Sequence, residues 1–152
     1  MALTSLLLLR HASAAFGGGV SDLERPLTEA GEHEALTVGH LLRERGSRVD
    51  TLLVSPARRT RQTATFSLPD GPAPQLVDDI YEASTGQLIQ VLEAHGAGAT
   101  LMVGHNPGFS ELAGFLSGKP QALRTGQLVS LTWSQPPAQP LQPGEATISF
   151  LN

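Results

Sequence analysis

Short apolar runs alternate with longer amphipathic segments along this chain, as they do in proteins whose strands alternate with helices. The run nearest the N-terminus shows little alternation of apolar and polar residues, which predicts a strand that is covered on both faces. Towards the end of the chain two segments do alternate, which predicts a strand pair at one edge of a sheet. The predicted strands are Leu3 to Leu9, Thr51 to Val54, Gln75 to Val77, Thr100 to Val103, Leu128 to Trp133 and Ala146 to Leu151.

The first long segment between these strands predicts an amphipathic helix. Thr28 is the expected N-cap of this helix, which should run to about Arg45, and Gly46 is a typical residue to end it. The apolar side of the helix is expected to carry its leucines, which are Leu36, Leu41 and Leu42.

Three further helices are predicted along the chain. Ser55-Pro56 predicts a capping hydroxyl and a first-turn proline for a helix from Ala57 to about Ser67, and the other two helices are predicted over Thr85 to His95 and Phe109 to Leu116. Strands that alternate with helices in this way predict an α/β protein, a three-layer α/β/α sandwich with a mostly parallel sheet and an antiparallel edge. Because no repeat or linker interrupts the pattern, residues 1–152 are expected to form a single domain.

The composition excludes several classes of function. The 152 residues carry a formal net charge of −4, which argues against a nucleic-acid partner because a phosphate backbone needs a basic face. The chain has no cysteine, which excludes disulfides, thiolate metal sites and thiol-based phosphatase chemistry. Arg10 cuts short the N-terminal apolar run, and no segment approaches the roughly 20 apolar residues of a membrane span. We therefore expect a cytoplasmic protein with no membrane partner.

Charged and nucleophilic side chains follow three of the predicted strands, at the point where each strand ends. Arg10 and His11 come after the first strand, Ser55 to Arg59 after the second, and His105 after the strand that begins at Thr100. Open α/β sheets bind ligands at the carboxyl ends of their strands. We therefore expect two arginines and two histidines to converge at this edge.

Such a cluster suits a phosphoryl group. The planar guanidinium of arginine matches phosphate oxygens in paired hydrogen bonds, and Arg59 would also stand in the first turn of a helix, where the backbone favours an anion. With two cations beside it, His11 is expected to stay neutral near pH 7 and to keep the free nitrogen lone pair that a nucleophile needs. His105 would donate a hydrogen bond to the phosphoryl oxygens as charge redistributes in the transition state.

Three blocks of the sequence resemble the signatures of the histidine phosphatase superfamily, to which phosphoglycerate mutases also belong. They are Leu9 to Ala12, Ser55 to Ala64, whose fifth residue is Arg59, and Val103 to Pro107. Two further segments, Arg25 to Thr28 and Tyr81 to Ser84, are most similar to the SixA-type phosphohistidine phosphatases. The resemblance covers nearly the whole chain.

This resemblance implies a phosphoglycerate mutase-like fold and a hydrolase that needs no metal and no cofactor. His11 would attack phosphorus in line and form a covalent phosphohistidine, which water then hydrolyses, while Arg10, Arg59 and His105 bind the phosphoryl group. Glu82 stands where the superfamily often places a general acid, and a partly buried glutamate there could hold the proton. If the substrate is itself a phosphohistidine, its leaving imidazole needs less protonation, and Glu82 would only be supportive.

The residues leave several alternatives open. The substrate would be a phosphohistidine on a protein or a small phosphate ester, and a mutase is disfavoured because little chain remains to keep water from its intermediate. A non-enzymatic phosphate-binding module would not need a histidine at position 11. Glu82 is either the acid or an ordinary rim residue. The other histidines and helix arginines are expected at or near the surface, namely His33, His40, His95, Arg58 and Arg61.

Overall fold

The computed structural model describes residues 2–152, and the strands of this part of the chain form one six-stranded sheet. The strands stand in the order β3-β2-β4-β1-β5-β6. The four strands β1 to β4 run parallel, and β5 and β6 are added antiparallel at one edge. Their bounds are β1 Leu3–Arg10, β2 Thr51–Val54, β3 Pro74–Leu76, β4 Gly98–Gly104, β5 Leu128–Thr132 and β6 Thr147–Phe150.

Helices cover both faces of this sheet. The helices are α1 Glu29–Glu44, α2 Arg58–Ser67, α3 Thr85–His95 and α4 Gly108–Ser117, and two short 3₁₀ turns lie at Asp22–Glu24 and Asp78–Ile80. Buried residues of α1 and α2 pack in one apolar cluster, and those of α3 and α4 pack in another. The predicted three-layer α/β/α sandwich with an antiparallel edge is therefore confirmed.

The first strand joins the two apolar clusters. Leu6 and Leu8 of β1 belong to the cluster under α3 and α4, whereas Leu9 belongs to the cluster under α1 and α2. Successive side chains of a strand point to opposite faces of a sheet, so a strand covered on both sides needs apolar residues at consecutive positions. The uninterrupted apolar run of β1 is explained by this double burial.

The predicted apolar side of α1 was wrong at one position. Leu36 is 41% exposed, whereas Leu42 is buried and Leu41 is half-buried. The helix instead buries a stripe of mostly small residues, because it lies very close to the end of α2: a Cβ on Gly39 would come within 2.9 Å of the Ser67 carbonyl oxygen. The buried stripe is Gly31, Ala35, Val38, Gly39 and Leu42.

The predicted starts of α1 and α3 are confirmed, whereas the predicted start of α2 was wrong. The Thr28 hydroxyl accepts a hydrogen bond from the Gly31 N–H at 3.0 Å and caps α1 as predicted. Helix α3 has its predicted bounds. Helix α2, however, begins at Arg58 with Ala57 at the N-cap, so the predicted capping role of Ser55 and the first-turn position of Pro56 were wrong. No helix within the described residues is long and apolar enough to cross a membrane.

Candidate active site

The carboxyl ends of β1, β2 and β4 lie side by side because these strands are parallel neighbours in register. Arg10 pairs with Gly104, and the backbone N–H of His11 donates to the Gly104 carbonyl at 3.0 Å. On the other side of β4, the N–H of Ser55 donates to the Val103 carbonyl at 3.1 Å. The residues that follow the three strands are thereby brought to one edge of the sheet.

A cavity of about 560 Å³ opens at this edge. All five site residues predicted from the sequence line it, which are Arg10, His11, Arg59, Glu82 and His105. The rings of His11 and His105 lie with their centroids 5.4 Å apart. The expected convergence of two arginines and two histidines is therefore present.

Glu82 differs from its expected setting. It lines the cavity but is exposed to solvent rather than partly buried. Its backbone has φ +55°, a left-handed conformation that is uncommon for a residue with a side chain. Glu82 therefore stands at the rim of the cavity. Among the other residues with predicted surroundings, Arg58, Arg61, His33, His40 and His95 are exposed as expected.

His11 has one ring nitrogen fixed by the backbone. Its Nδ1 lies 2.7 Å from the carbonyl oxygen of Ala12, and the ring is only 9% exposed. A carbonyl oxygen can only accept, so this hydrogen bond requires the proton to be on Nδ1. The lone pair of the neutral ring is then on Nε2, where it is available to attack or to accept a proton.

The backbone beside His11 is held by the two helices on this side of the sheet. The Ala12 N–H donates to the Thr63 hydroxyl of α2 at 3.1 Å. Helix α1 begins so close to Ser13 that a Cβ on Gly31 would come within 2.0 Å of the Ser13 carbonyl oxygen, and only glycine fits there. Contacts from both helices thus fix the chain that presents the His11 ring.

Burial keeps both histidines of the cavity neutral. Burial is the largest cause that lowers the pKa of His11 to about 4, and the neighbouring Arg59 and Arg10 add to it. Burial followed by the charge of Arg59 lowers the pKa of His105 to about 3. The neutral state of His11 was predicted from its two cationic neighbours, but desolvation contributes more than they do.

We expect these two histidines to make stability depend on pH between about 6.5 and 3, with the contribution of His11 ending near 4. Histidines of the unfolded chain take up protons below their ordinary pKa of about 6.5, while His11 and His105 stay neutral in the folded protein. The unfolding free energy should therefore be level above this window and should fall as the pH is lowered through it. Urea unfolding measured from pH 8 to pH 4.5 tests this expectation. A midpoint that is constant or rises on acidification would contradict it.

In the described part of the chain, each of the two arginines that line the cavity has a buried N–H donor without a hydrogen-bond partner. Arg59 is 6% exposed, and Arg10 is half-buried with its Nη1 donating to the Leu123 carbonyl at 3.0 Å. Within residues 2–152, the buried Nε of each arginine has no hydrogen-bond partner. Buried donors are nearly always satisfied in native proteins, so these two Nε groups are unusual. The two guanidinium groups that line one cavity favour an anionic ligand.

Asp22, which was not predicted from the sequence, contacts Arg59 across the cavity. The Nη1 of Arg59 donates to the Asp22 carbonyl at 2.7 Å, and its Nη2 donates to the carboxylate at 3.0 Å. The same carboxylate accepts from Arg25 Nη1 at 2.8 Å and from the Tyr81 hydroxyl. These hydrogen bonds, that of Tyr81 first, hold the pKa of Asp22 far below its usual range, so the carboxylate is ionised. The only local signal for it was an acidic residue three positions before Arg25.

Ser55 is a second residue whose contact the sequence did not predict. Its hydroxyl lies 2.7 Å from Nε2 of His105 and is not exposed at all. The other ring nitrogen of His105, Nδ1, lies 3.4 Å from Nη2 of Arg59. His105 therefore stands between a hydroxyl behind the cavity and a guanidinium that lines it.

This arrangement combines an electron pair on a buried nitrogen with cationic donors around it. Such a site can bind a tetrahedral oxyanion and allow His11 to attack its central atom. Over the described residues, no group of three or more histidine, aspartate or glutamate side chains is placed to hold a metal ion.

Residues 6–96 match the family model of the histidine phosphatase superfamily, branch 1. The match spans more than half of the chain and contains both His11 and Arg59. The chain belongs to the histidine phosphatase superfamily. The resemblance found in the sequence blocks is thus confirmed.

The chain is also similar to individual proteins and solved structures. The Mycobacterium tuberculosis protein Rv1276c is 38% identical over 107 residues, which are 69% of this chain and 67% of that protein. The solved structure of the proposed phosphohistidine phosphatase SixA from Agrobacterium tumefaciens has 30% identity and a TM-score of 0.80, and covers 86% of this chain and 92% of that one. The alpha-ribazole phosphatase of Shigella flexneri has the same fold, with 19% identity, a TM-score of 0.70, and coverage of 98% and 96%.

Proposed function

We propose that this member of the histidine phosphatase superfamily hydrolyses phosphohistidine on a protein, through a covalent phosphohistidine on its own His11. The observation that carries the proposal is the unprotonated Nε2 of His11, since its proton is held on Nδ1 by the Ala12 carbonyl. Arg10 and Arg59 supply the cationic donors for the phosphoryl oxygens, and His105 supplies another donor. No other residue is needed for an in-line attack.

In the first step, the lone pair of His11 Nε2 forms a bond to phosphorus while the bond from phosphorus to the leaving group breaks. The leaving group takes the electron pair of the broken bond. A phosphohistidine whose other ring nitrogen carries a proton leaves as neutral imidazole, so the enzyme need not supply a proton. In the second step, an oxygen of water forms a bond to phosphorus, and Nε2 recovers its electron pair while the water proton passes to solvent.

The two carboxylates that line the cavity are those of Asp22 and Glu82. Their surroundings favour a substrate whose leaving group needs no proton from the enzyme. An alkyl ester leaves as an alkoxide and needs a general acid. Asp22 is held ionised by Tyr81, Arg25 and Arg59 and has no proton to donate. Glu82 is exposed at the rim and not partly buried, as the general acid was expected to be. The site therefore suits phosphohistidine better than an alkyl phosphate.

The proposal is tested by comparing substrates at equal concentration near pH 7. We expect phosphate release from a phosphohistidine peptide and from an aryl phosphate, whose leaving group is also good, and much slower release from a phosphoserine peptide. Faster turnover of phosphoserine than of phosphohistidine would contradict the substrate class. Phosphate binding without turnover of any of the three would favour the binding-module alternative.

A separate prediction concerns Asp22, because its carboxylate occupies Nη2 of Arg59, a donor that a phosphoryl group would use. We expect Asp22→Asn to bind inorganic phosphate more tightly, with an inhibition constant lowered about threefold, because partly exposed ion pairs contribute up to about 1 kcal/mol. Product inhibition in the aryl phosphate assay measures this constant. Asp70→Asn, in an exposed loop, is the control. Weaker phosphate binding by Asp22→Asn would show that the carboxylate orients Arg59 instead of competing with the ligand.

A further inference from the structure

Ser55 is buried, and its hydroxyl contacts a ring nitrogen of His105. We propose that Ser55 is a positioning residue that allows His105 to present a proton on Nδ1, the ring nitrogen beside Arg59, when a phosphoryl group is bound. This inference deepens the proposed function, and it rests on His105 being a donor to the phosphoryl oxygens.

The hydrogen bonds of the empty site define one tautomer of His105. The guanidinium of Arg59 can only donate, so a hydrogen bond from its Nη2 to Nδ1 of His105 requires that Nδ1 carry no proton. The proton of the neutral ring is then on Nε2, and it is donated to the Ser55 hydroxyl oxygen. In this state His105 offers a lone pair, not a proton, to the Arg59 side of the ring.

A bound phosphoryl group requires the opposite arrangement. Its oxygens are acceptors, so His105 can stabilise them only with a proton on Nδ1. The ring takes up this proton from solvent on Nδ1, and the proton on Nε2 is lost to solvent, so that one proton is gained, one is released and the charge of the ring is unchanged. Nε2 then needs a donor, and the hydroxyl of Ser55 can turn its own proton towards it. A hydroxyl can serve both tautomers because it accepts and donates, which no apolar side chain can do.

The surroundings of Ser55 fix its hydroxyl at this place. Its N–H donates to the Val103 carbonyl of β4 at 3.1 Å, and its carbonyl accepts from the Thr60 hydroxyl of α2 at 2.8 Å. Ser55 is fully buried and does not line the cavity, so it acts through His105 and does not touch the substrate. The backbone of Ser55 is thus held between a strand and a helix, behind the His105 ring.

The test compares Ser55→Ala with Ser55→Thr, which keeps a hydroxyl, and with Ser67→Ala. Ser67 is a matched control because it is also buried and its hydroxyl donates to the Ala35 carbonyl at 3.0 Å, away from the cavity. The Ser55 hydroxyl, besides its contact with His105, accepts from the Ala57 N–H at 3.5 Å. We expect Ser55→Ala to lower kcat for an aryl phosphate by about 10- to 100-fold, the size of effect seen when the partner of a functional histidine is removed. Ser55→Thr should recover most of the loss, and Ser67→Ala should keep wild-type turnover.

Nitrogen NMR of the histidine rings provides a second readout that does not depend on turnover. In the wild type, we expect His105 to be protonated on Nε2 without ligand and on Nδ1 with inorganic phosphate bound. In Ser55→Ala, phosphate should not bring the proton to Nδ1. If wild type turned over no substrate, the proposed function would fail while the NMR result still decided the role of Ser55. Equal kcat values for Ser55→Ala and Ser67→Ala, or a phosphate-bound His105 without a proton on Nδ1, would overturn the inference.

Discussion

Replacing His11 by alanine is expected to reduce turnover of an aryl phosphate by about 10⁴-fold or more, as the loss of a covalent nucleophile does in other enzymes. The variant lacks the Nε2 electron pair that would attack phosphorus. Because the arginines remain, inorganic phosphate should still bind. Steady-state phosphate release, with phosphate binding measured by calorimetry, separates these two effects.

The control for this experiment is His33→Ala, which removes an exposed histidine of α1. We expect wild-type activity from this control and a cooperative unfolding transition from both variants. Turnover by His11→Ala close to that of His33→Ala would contradict the assignment of His11 as the nucleophile. Loss of phosphate binding along with turnover would mean instead that His11 is needed to form the oxyanion site.

The second large effect is expected from Arg59→Lys, which keeps the positive charge but removes the planar fork of donors. Arg59 uses both terminal nitrogens on Asp22, and a single ammonium cannot reproduce that geometry. We expect kcat/KM to fall by about 10²- to 10³-fold, the usual cost of losing one aligned donor to a developing oxyanion.

The neighbouring arginine provides the matched control for Arg59. Arg58→Lys makes the same substitution one residue earlier in α2, where the side chain is exposed and outside the cavity. Near wild-type kcat/KM is expected from this control. Equal losses in Arg58→Lys and Arg59→Lys would show that the substitution acts through helix α2 and not through the phosphoryl group.

The position of the site could be predicted from the sequence because it depends on the parallel sheet alone. The ends of parallel neighbouring strands meet at one edge, so a residue that follows a buried apolar run has a known place. His11 and His105 follow β1 and β4, which pair directly, and Arg59 lies in the first turn of the helix after β2. Local sequence patterns were therefore sufficient to predict that these side chains lie together.

Asp22 and the Ser55 contact could not be predicted because tertiary packing alone determines them. Asp22 lies in a short 3₁₀ turn without apolar periodicity, and its partners Arg59 and Tyr81 are 37 and 59 residues away. Ser55-Pro56 is a typical helix start, yet α2 begins three residues after Ser55, and the hydroxyl binds His105, 50 residues away. Local residue preferences carry no information about partners so distant.

The orientation of α1 in the apolar core is a further feature that could not be predicted from the sequence. Residue size favoured Leu36 as a buried position, but close approach to α2 and to the chain after His11 requires small residues. Gly31 and Gly39 are buried for this reason, and Leu36 is turned to solvent. The distance between two packed helices depends on the sheet that both of them cover. The sequence of a single helix therefore does not specify it.

The most direct measurement is to trap the phosphorylated enzyme. Wild-type protein is mixed with an aryl phosphate and quenched within milliseconds in alkali, where phosphohistidine is stable, and its peptides are analysed by mass spectrometry. We expect one phosphoryl group on the peptide that contains His11, and none on that peptide from His11→Ala. A phosphoryl group on His105 or Ser55, or the same label in His11→Ala, would contradict nucleophilic attack by His11.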